Sequence, residues 1–157
     1  MNEGKIEYQG KPVKQKIVYT GPIDELFKYK YGHLPYRSLE FRFETFEECS
    51  YQDAPITAYP EVSGYTRITE FNKMPVQNTS KTTVAFEYPL PASEKNEPYY
   101  PILTEESKTL YEKYKIETFK IQNMIVAGRL GEFKYYNMDQ AIKRALGLSI
   151  GFFHNEY

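Results

Sequence analysis

Ile125-Val126-Ala127-Gly128-Arg129-Leu130-Gly131-Glu132-Phe133-Lys134-Tyr135-Tyr136-Asn137-Met138-Asp139 is the stretch on which the reading of this chain turns. A short apolar run from Met124 to Ala127 reads as a strand, with Gly-Arg-Leu-Gly as a tight turn after it. A basic, aromatic loop follows, and then a helix opens. Met138, Ala141, Ile142, Ala145 and Leu146 fall at i, i+3, i+4, i+7 and i+8, which gives that helix one apolar face. Asn137 is a suitable N-cap, and Gln140 stands where the partner of a capping box would. Strand, glycine turn and helix start together present backbone N–H groups and a positive dipole end. With Arg129, Lys134, Tyr135 and Tyr136 beside them, an anionic ligand is the natural expectation. A buried strand joined to an ordinary surface helix reads the same way.

The 157 residues suit one domain, or one large part of something bigger. A net charge of -1 supplies no global field for nucleic acid or an acidic membrane. No apolar run reaches the roughly 18 residues that span a bilayer, and Met1 to Ile6 carries no signal-peptide core. Cys49 is the only cysteine, so an internal disulfide is excluded and a reducing cytoplasm is the simplest compartment. With His33 and His154 as the only histidines, a His/Cys zinc site is not expected. Sixteen Tyr and ten Phe stand against no Trp. A flat apolar ring with a polar tip suits half-exposed strands, and equally suits sugar or phosphate recognition.

Along the chain, Ile6 and Tyr8 alternate before Gly10, which allows a hairpin arm. Ile17 to Thr20 reads as a short strand. Pro22 at a first helical position, acids after it and Gly32 as a stop predict a helix of about two turns. From Tyr36 to Glu44, Arg37, Leu39, Phe41 and Phe43 alternate with Ser38, Glu40, Arg42 and Glu44, the pattern of a half-buried strand. Pro55–Pro60, Tyr65–Phe71 and Thr82–Tyr88 read as further strands with short links, which predicts an antiparallel sheet. Thr104 with Glu105 and Glu106 opens a helix to about Phe119. Ser149 to Phe153 reads as an apolar tail. The fold class expected is therefore α+β: a mainly antiparallel sheet, short helices, and a closing strand-turn-helix.

Neither G-x-G-x-x-G nor G-x-x-x-x-G-K-[ST] occurs, so the chain builds no dinucleotide or P-loop cradle by itself. The pairs Glu47-Glu48 and Glu105-Glu106 read as solvated faces. Arg67 alternates with apolar neighbours inside a strand, where a lone cation needs an anion or must snorkel from the sheet edge. Tyr99 and Tyr100 are held between prolines. Composition and spacing reach an aromatic, cationic, anion-binding sheet and stop there.

Five ordered runs resemble the C-terminal part of UDP-galactopyranose mutases. They are Val18-Tyr19-Thr20-Gly21-Pro22-Ile23-Asp24-Glu25, Tyr29 to Leu39, Tyr65-Thr66-Arg67-Ile68-Thr69-Glu70, Glu97-Pro98-Tyr99-Tyr100-Pro101-Ile102, and Gly128-Arg129-Leu130-Gly131 with Met138-Asp139. The resemblance implies a flavoenzyme interconverting UDP-galactopyranose and UDP-galactofuranose, with reduced FAD as nucleophile and no net redox change. It implies that residues 1–157 form one substrate-binding sheet domain with a flavin-facing end. By the same resemblance Arg67 and Arg129 are catalytic, and Arg67, Tyr100, Tyr135 and Arg37 bind substrate. Gly128, Arg129, Tyr135, Asn137 and Met138 are expected to face the cofactor.

The implied partners are UDP-galactose and an FAD-binding Rossmann half that these residues do not contain; a homodimer stays open. Alone, the chain is expected to hold FAD weakly or not at all. Asn137 stands where the family usually carries Asp, Ala58 where relatives carry Asn, and Phe133 where Tyr is common. Those departures keep two alternatives in view, a non-catalytic nucleotide-sugar binding module and an inactive truncated remnant.

Overall fold

A computed structural model describes residues 6–8, 10–61, 64–93, 96–121 and 123–153. Met1–Lys5, His154 and the side chains of Phe152 and Phe153, all part of the sequence reading, lie outside the described residues. The chain is α+β and divides into two compact units, residues 37–97 and residues 1–36 with 98–157.

The unit of residues 37–97 is built on four antiparallel strands, β4 (Tyr36–Phe46), β5 (Ile56–Ala58), β6 (Arg67–Glu70) and β7 (Thr82–Pro91), ordered β5-β6-β7-β4. Its core is Ile68, Val84 and Phe86, with Phe46, Tyr59, Tyr65 and Tyr88 packed against them. The alternation in β4 is present, but the buried half is not the phenylalanine side. Phe86 and Val84 lie opposite Arg42 and Glu44, so the core forms on the charged side of the strand. Phe41 and Phe43 project from the other face, where Phe43 is 63% exposed and stacks on Phe71 at 6.1 Å. The core side of β4 is completed by Phe46, by Ser38, whose hydroxyl donates to Glu97 O, and by Arg42, which lies over the Tyr88 ring at 4.4 Å.

Glu70, fully buried, ties the β4–β5 connection to this sheet. Its Oε1 accepts from Tyr51 N (2.9 Å) and Thr82 Oγ1 (2.8 Å), and its Oε2 from Gln52 N (3.1 Å). Lys73 Nζ lies 3.2 Å from Oε2. Burial alone would raise the carboxyl pKa; these donors outweigh it and hold the group below its ordinary value.

In the other unit, β1 (Glu7–Tyr8) and β2 (Lys11–Pro12) form the small hairpin, and β3 (Ile17–Tyr19) pairs in parallel with β9 (Met124–Val126). The helix after Pro22, α1 (Ile23–Leu26), has one turn instead of the two its composition predicts. Lys28 and Tyr29 take φ of 51° and 55°, with Lys28 N bonded to Glu25 O and Tyr29 N to Asp24 O, which closes the helix early. Buried Asp24 then accepts from Leu34 N at 2.8 Å and fixes the following loop. The two-residue strand β8 (Tyr100–Pro101) precedes α2 (Glu105–Thr118), which starts with a reciprocal capping box between Thr104 and Ser107. Fully buried Tyr114 joins α2 to the early loop, its hydroxyl donating to Gly32 O at 2.6 Å and accepting from Tyr31 N at 2.9 Å. Glu117, at the end of α2, takes the Tyr31 hydroxyl, Lys120 and Lys30, which together pull its pKa down to about 2. Among the described residues no helix is long and apolar enough to cross a membrane, and no three His, Cys, Asp or Glu side chains gather as a metal site.

Candidate functional site

Gly128–Gly131 is a single helical turn, α3, not the open tight turn its glycines predict. Each glycine has its own reason. Gly128 enters at φ 82°, which a side chain would strain. Gly131 is buried against β3 and β9, where a Cβ would meet Val126 Cγ1 at 2.5 Å. The turn closes as a Schellman motif, with Phe133 N bonded to Leu130 O and Lys134 N to Arg129 O. The left-handed position, usually glycine, is Phe133 at φ 46°. Its ring compensates by burial, edge-on to Tyr36 at 5.4 Å and stacked with Tyr111 at 5.7 Å.

That reversal aims the neighbouring side chains. Arg129 donates through Nη2 to Tyr136 O at 2.9 Å, which holds its guanidinium over two rings. Cζ lies 4.7 Å from the Tyr100 ring centroid and 5.0 Å from that of Tyr135. The two rings stack with centroids 6.0 Å apart and planes 23° from parallel. Among the described residues neither phenol hydroxyl has a hydrogen-bond partner, so both can donate to an oxyanion. Arg129 keeps its other N–H groups for the same ligand.

Glu132, which sequence reasoning passed over, braces this arrangement. It accepts from Arg144 Nε (2.7 Å), the Tyr136 hydroxyl (3.1 Å) and Gly128 N (3.2 Å). The only hint in the sequence is its spacing, four residues from both Gly128 and Tyr136.

The closing helix, α4 (Met138–Phe153), begins where expected. Asn137 N donates to Gln140 Oε1 at 3.0 Å, one half of the capping box, and Asn137 O accepts from Ala141 N. One expectation needs correction here. The segment from Ser149 is not a tail but the last turn of this helix. The apolar face is not buried: Met138 is 86% exposed, and Ile142, Leu146 and Ile150 are 62–64% exposed. The polar side is exposed as well, and there Arg144 is tied to Glu132 at 2.7 Å.

Of the predicted site residues, the structure thus gathers Tyr100, Gly128, Arg129 and Tyr135, with Asn137 and Met138 at the helix start two residues beyond. Arg67 and Arg37 belong to the other unit. Arg67, on β6, faces its cross-strand partner Glu87 with Nε 3.5 Å from Oε2, so the anion it needed comes from its own sheet. Its side chain stays 45% exposed, with donors to spare. Arg37 is exposed on β4 opposite Pro91.

A guanidinium over two tyrosine rings, set beside a glycine turn and a helix start, is a donor set whose chemistry suits an oxyanion. The family described as UDP-galactopyranose mutase matches residues 2–135, and the chain belongs to it. It is 36% identical over 144 residues to UDP-galactopyranose mutase of Mycoplasma genitalium, covering 88% of this chain and 36% of that protein. It is 35% identical over 132 residues to a probable UDP-galactopyranose mutase of Klebsiella pneumoniae, covering 83% and 34%. The dTDP-fucopyranose mutase of Escherichia coli is 30% identical over 132 residues, covering 83% and 35%. The chain therefore spans little more than a third of the length of these relatives. The family match ends at Tyr135, so Asn137, Met138 and the rest of α4 lie beyond it.

Proposed function

We propose that this chain supplies the diphosphate-binding wall of a UDP-galactopyranose mutase, interconverting UDP-galactopyranose and UDP-galactofuranose. The observation that carries the reading is Arg129 stacked on Tyr100 and Tyr135, whose phenol hydroxyls have no hydrogen-bond partner among the described residues. In this reading the Arg129 guanidinium and the two hydroxyls hold the pyrophosphate; the substrate roles that the family resemblance gives Arg67 and Arg37 belong to the other unit. Fixed donors of this kind favour a departing UDP because they need no reorganisation as negative charge develops on it.

The donor set also fits one edge of FAD: a guanidinium, the Gly128 turn, Tyr135, and the start of α4 at Asn137 and Met138. When bound, reduced FAD supplies the nucleophile for the anomeric carbon. Asn137 can donate or accept there but brings no negative charge. These residues make no adenosine or pyrophosphate cradle, so the chain alone is expected to retain little flavin.

Titration of UDP into the chain, followed by calorimetry or amide shifts, tests the reading. Arg129→Ala removes one charge-assisted contact, worth about 1.5–3 kcal/mol, and should weaken binding roughly 10- to 150-fold. Equal UDP affinity in wild type and Arg129→Ala, or no binding at millimolar UDP, refutes it.

A further inference from the structure

A second cationic hollow borders the Phe133 reversal; Tyr100, Arg129 and Tyr135 do not line it, although Arg129 reaches the carbonyl of Tyr136, which does. It measures about 630 Å³ and is walled by Lys115 and Tyr111 of α2, Glu132, Lys134 and Tyr136 of the loop, and the polar side of α4. From α4 come Gln140, Lys143, Arg144 and Gly147. Four cations therefore converge with one carboxylate. Glu132 is already committed to Arg144, Tyr136 and Gly128 N, and cannot serve the others. Lys115 is held by Glu112 through both carboxylate oxygens, at 3.0 and 3.1 Å. Lys134 and Lys143 face no carboxylate among the described residues; Lys134 rests over the Tyr136 ring at 5.3 Å. Counting Glu112, the site keeps two uncompensated positive charges.

We propose that this hollow binds a phosphate-bearing dianion, with Lys134, Lys143 and the free N–H groups of Arg144 as its ligands. The volume is that of a small-molecule site, within the ~300–1,000 Å³ such pockets span. Gly147 keeps one wall clear, since a Cβ there would meet nothing within 4 Å. Arg144, fixed through Nε by Glu132, presents its terminal nitrogens in a planar fork suited to two phosphate oxygens. Ammonium groups arriving from separate elements match charge spread over several oxygens better than a single carboxylate would. The Tyr136 hydroxyl is committed to Glu132, so recognition rests on charge and the site takes phosphate from any ester of suitable size.

Inorganic pyrophosphate is the probe, titrated into the full chain at constant ionic strength while amide shifts are followed. Saturable shifts at Lys134, Lys143 and Gly147 are expected in the millimolar range or tighter. Lys143→Glu and Lys134→Gln should each weaken them at least about tenfold, whereas Arg129→Ala, which gives up only a bond to the Tyr136 carbonyl on this side, should leave saturable binding in place. Shifts that fail to saturate by about 10 mM, that survive Lys143→Glu, or that vanish with Arg129→Ala overturn the proposal. The last outcome assigns the anion to the other cluster. Loss of UDP binding in Arg129→Ala with intact pyrophosphate shifts supports two separate sites.

Discussion

Replacing Glu70 by Gln removes one charge from a fully buried position while keeping the side chain's length. The Gln carbonyl can take the place of Oε1 and continue to accept from Tyr51 N and Thr82 Oγ1, at 2.9 and 2.8 Å in the native chain. The amide NH₂ then occupies the position of Oε2. There it meets two donors, Gln52 N at 3.1 Å and Lys73 Nζ at 3.2 Å. Each lost charge-assisted bond is worth about 1.5–3 kcal/mol. Lys73 is 20% exposed at its side chain and also donates to Gln52 O, so part of its loss is recovered by water. A net cost of roughly 2–4 kcal/mol follows for the sheet unit. Urea unfolding followed by far-UV circular dichroism at neutral pH measures it. The sign with pH is fixed by the direction of the shift. The folded carboxyl sits below its ordinary 4.5, so the unfolded chain takes up the proton first as pH falls. Wild type keeps its full advantage above that ordinary value and loses it as pH falls through the lowered folded one. A gap under about 1 kcal/mol at neutral pH, or one that stays constant into acid, refutes the reasoning.

Asp24→Asn should behave in the opposite way: burial raises the Asp24 pKa above its ordinary 3.8, one carboxylate oxygen has no partner, and an amide carbonyl can still accept from Leu34 N. The variant is expected to match or exceed wild-type stability at neutral pH, with the difference vanishing below the ordinary value; a loss above about 2 kcal/mol in urea unfolding would contradict this. Ile142→Lys with Leu146→Lys should change stability by no more than about 0.5 kcal/mol per site, because both side chains are already more than 60% exposed. A larger drop in thermal midpoint would mean that this face is covered.

Elements with their own start signals were legible in the sequence: Thr104 before two acids opened α2, and Asn137 with Gln140 opened α4. Period-two alternation located β4, β6 and β7. What the sequence withheld was direction. In β4, alternation separates two faces but does not say which neighbours come to lie over them, and the core assembled on the Arg42–Glu44 side. In α4, the apolar stripe was visible, but the bond that ties the helix to the loop is made on its polar side, by Arg144 to Glu132. At the site, glycine spacing pointed to Arg129, whereas the ring pair it covers depends on Tyr100, 29 residues earlier in the chain. No local pattern encodes that meeting.

One backbone choice organises both surfaces proposed to bind anions. A glycine in the left-handed position of the Schellman motif would close the turn without strain, yet Phe133 stands there, buried between Tyr36 and Tyr111. The backbone strain, about 1–2 kcal/mol, is offset by a ring that a glycine could not bury. With the ring anchored, the next three side chains have fixed destinations. Tyr135 joins Tyr100 beneath Arg129, while Lys134 and Tyr136 line the hollow facing α4. The two surfaces are thus coupled through this turn, by the buried Phe133 ring and by the bonds from Arg129 to Tyr136 O and from Gly128 N to Glu132. Loosening Phe133 should disturb both at once, whereas substituting Lys143 should disturb only the hollow facing α4.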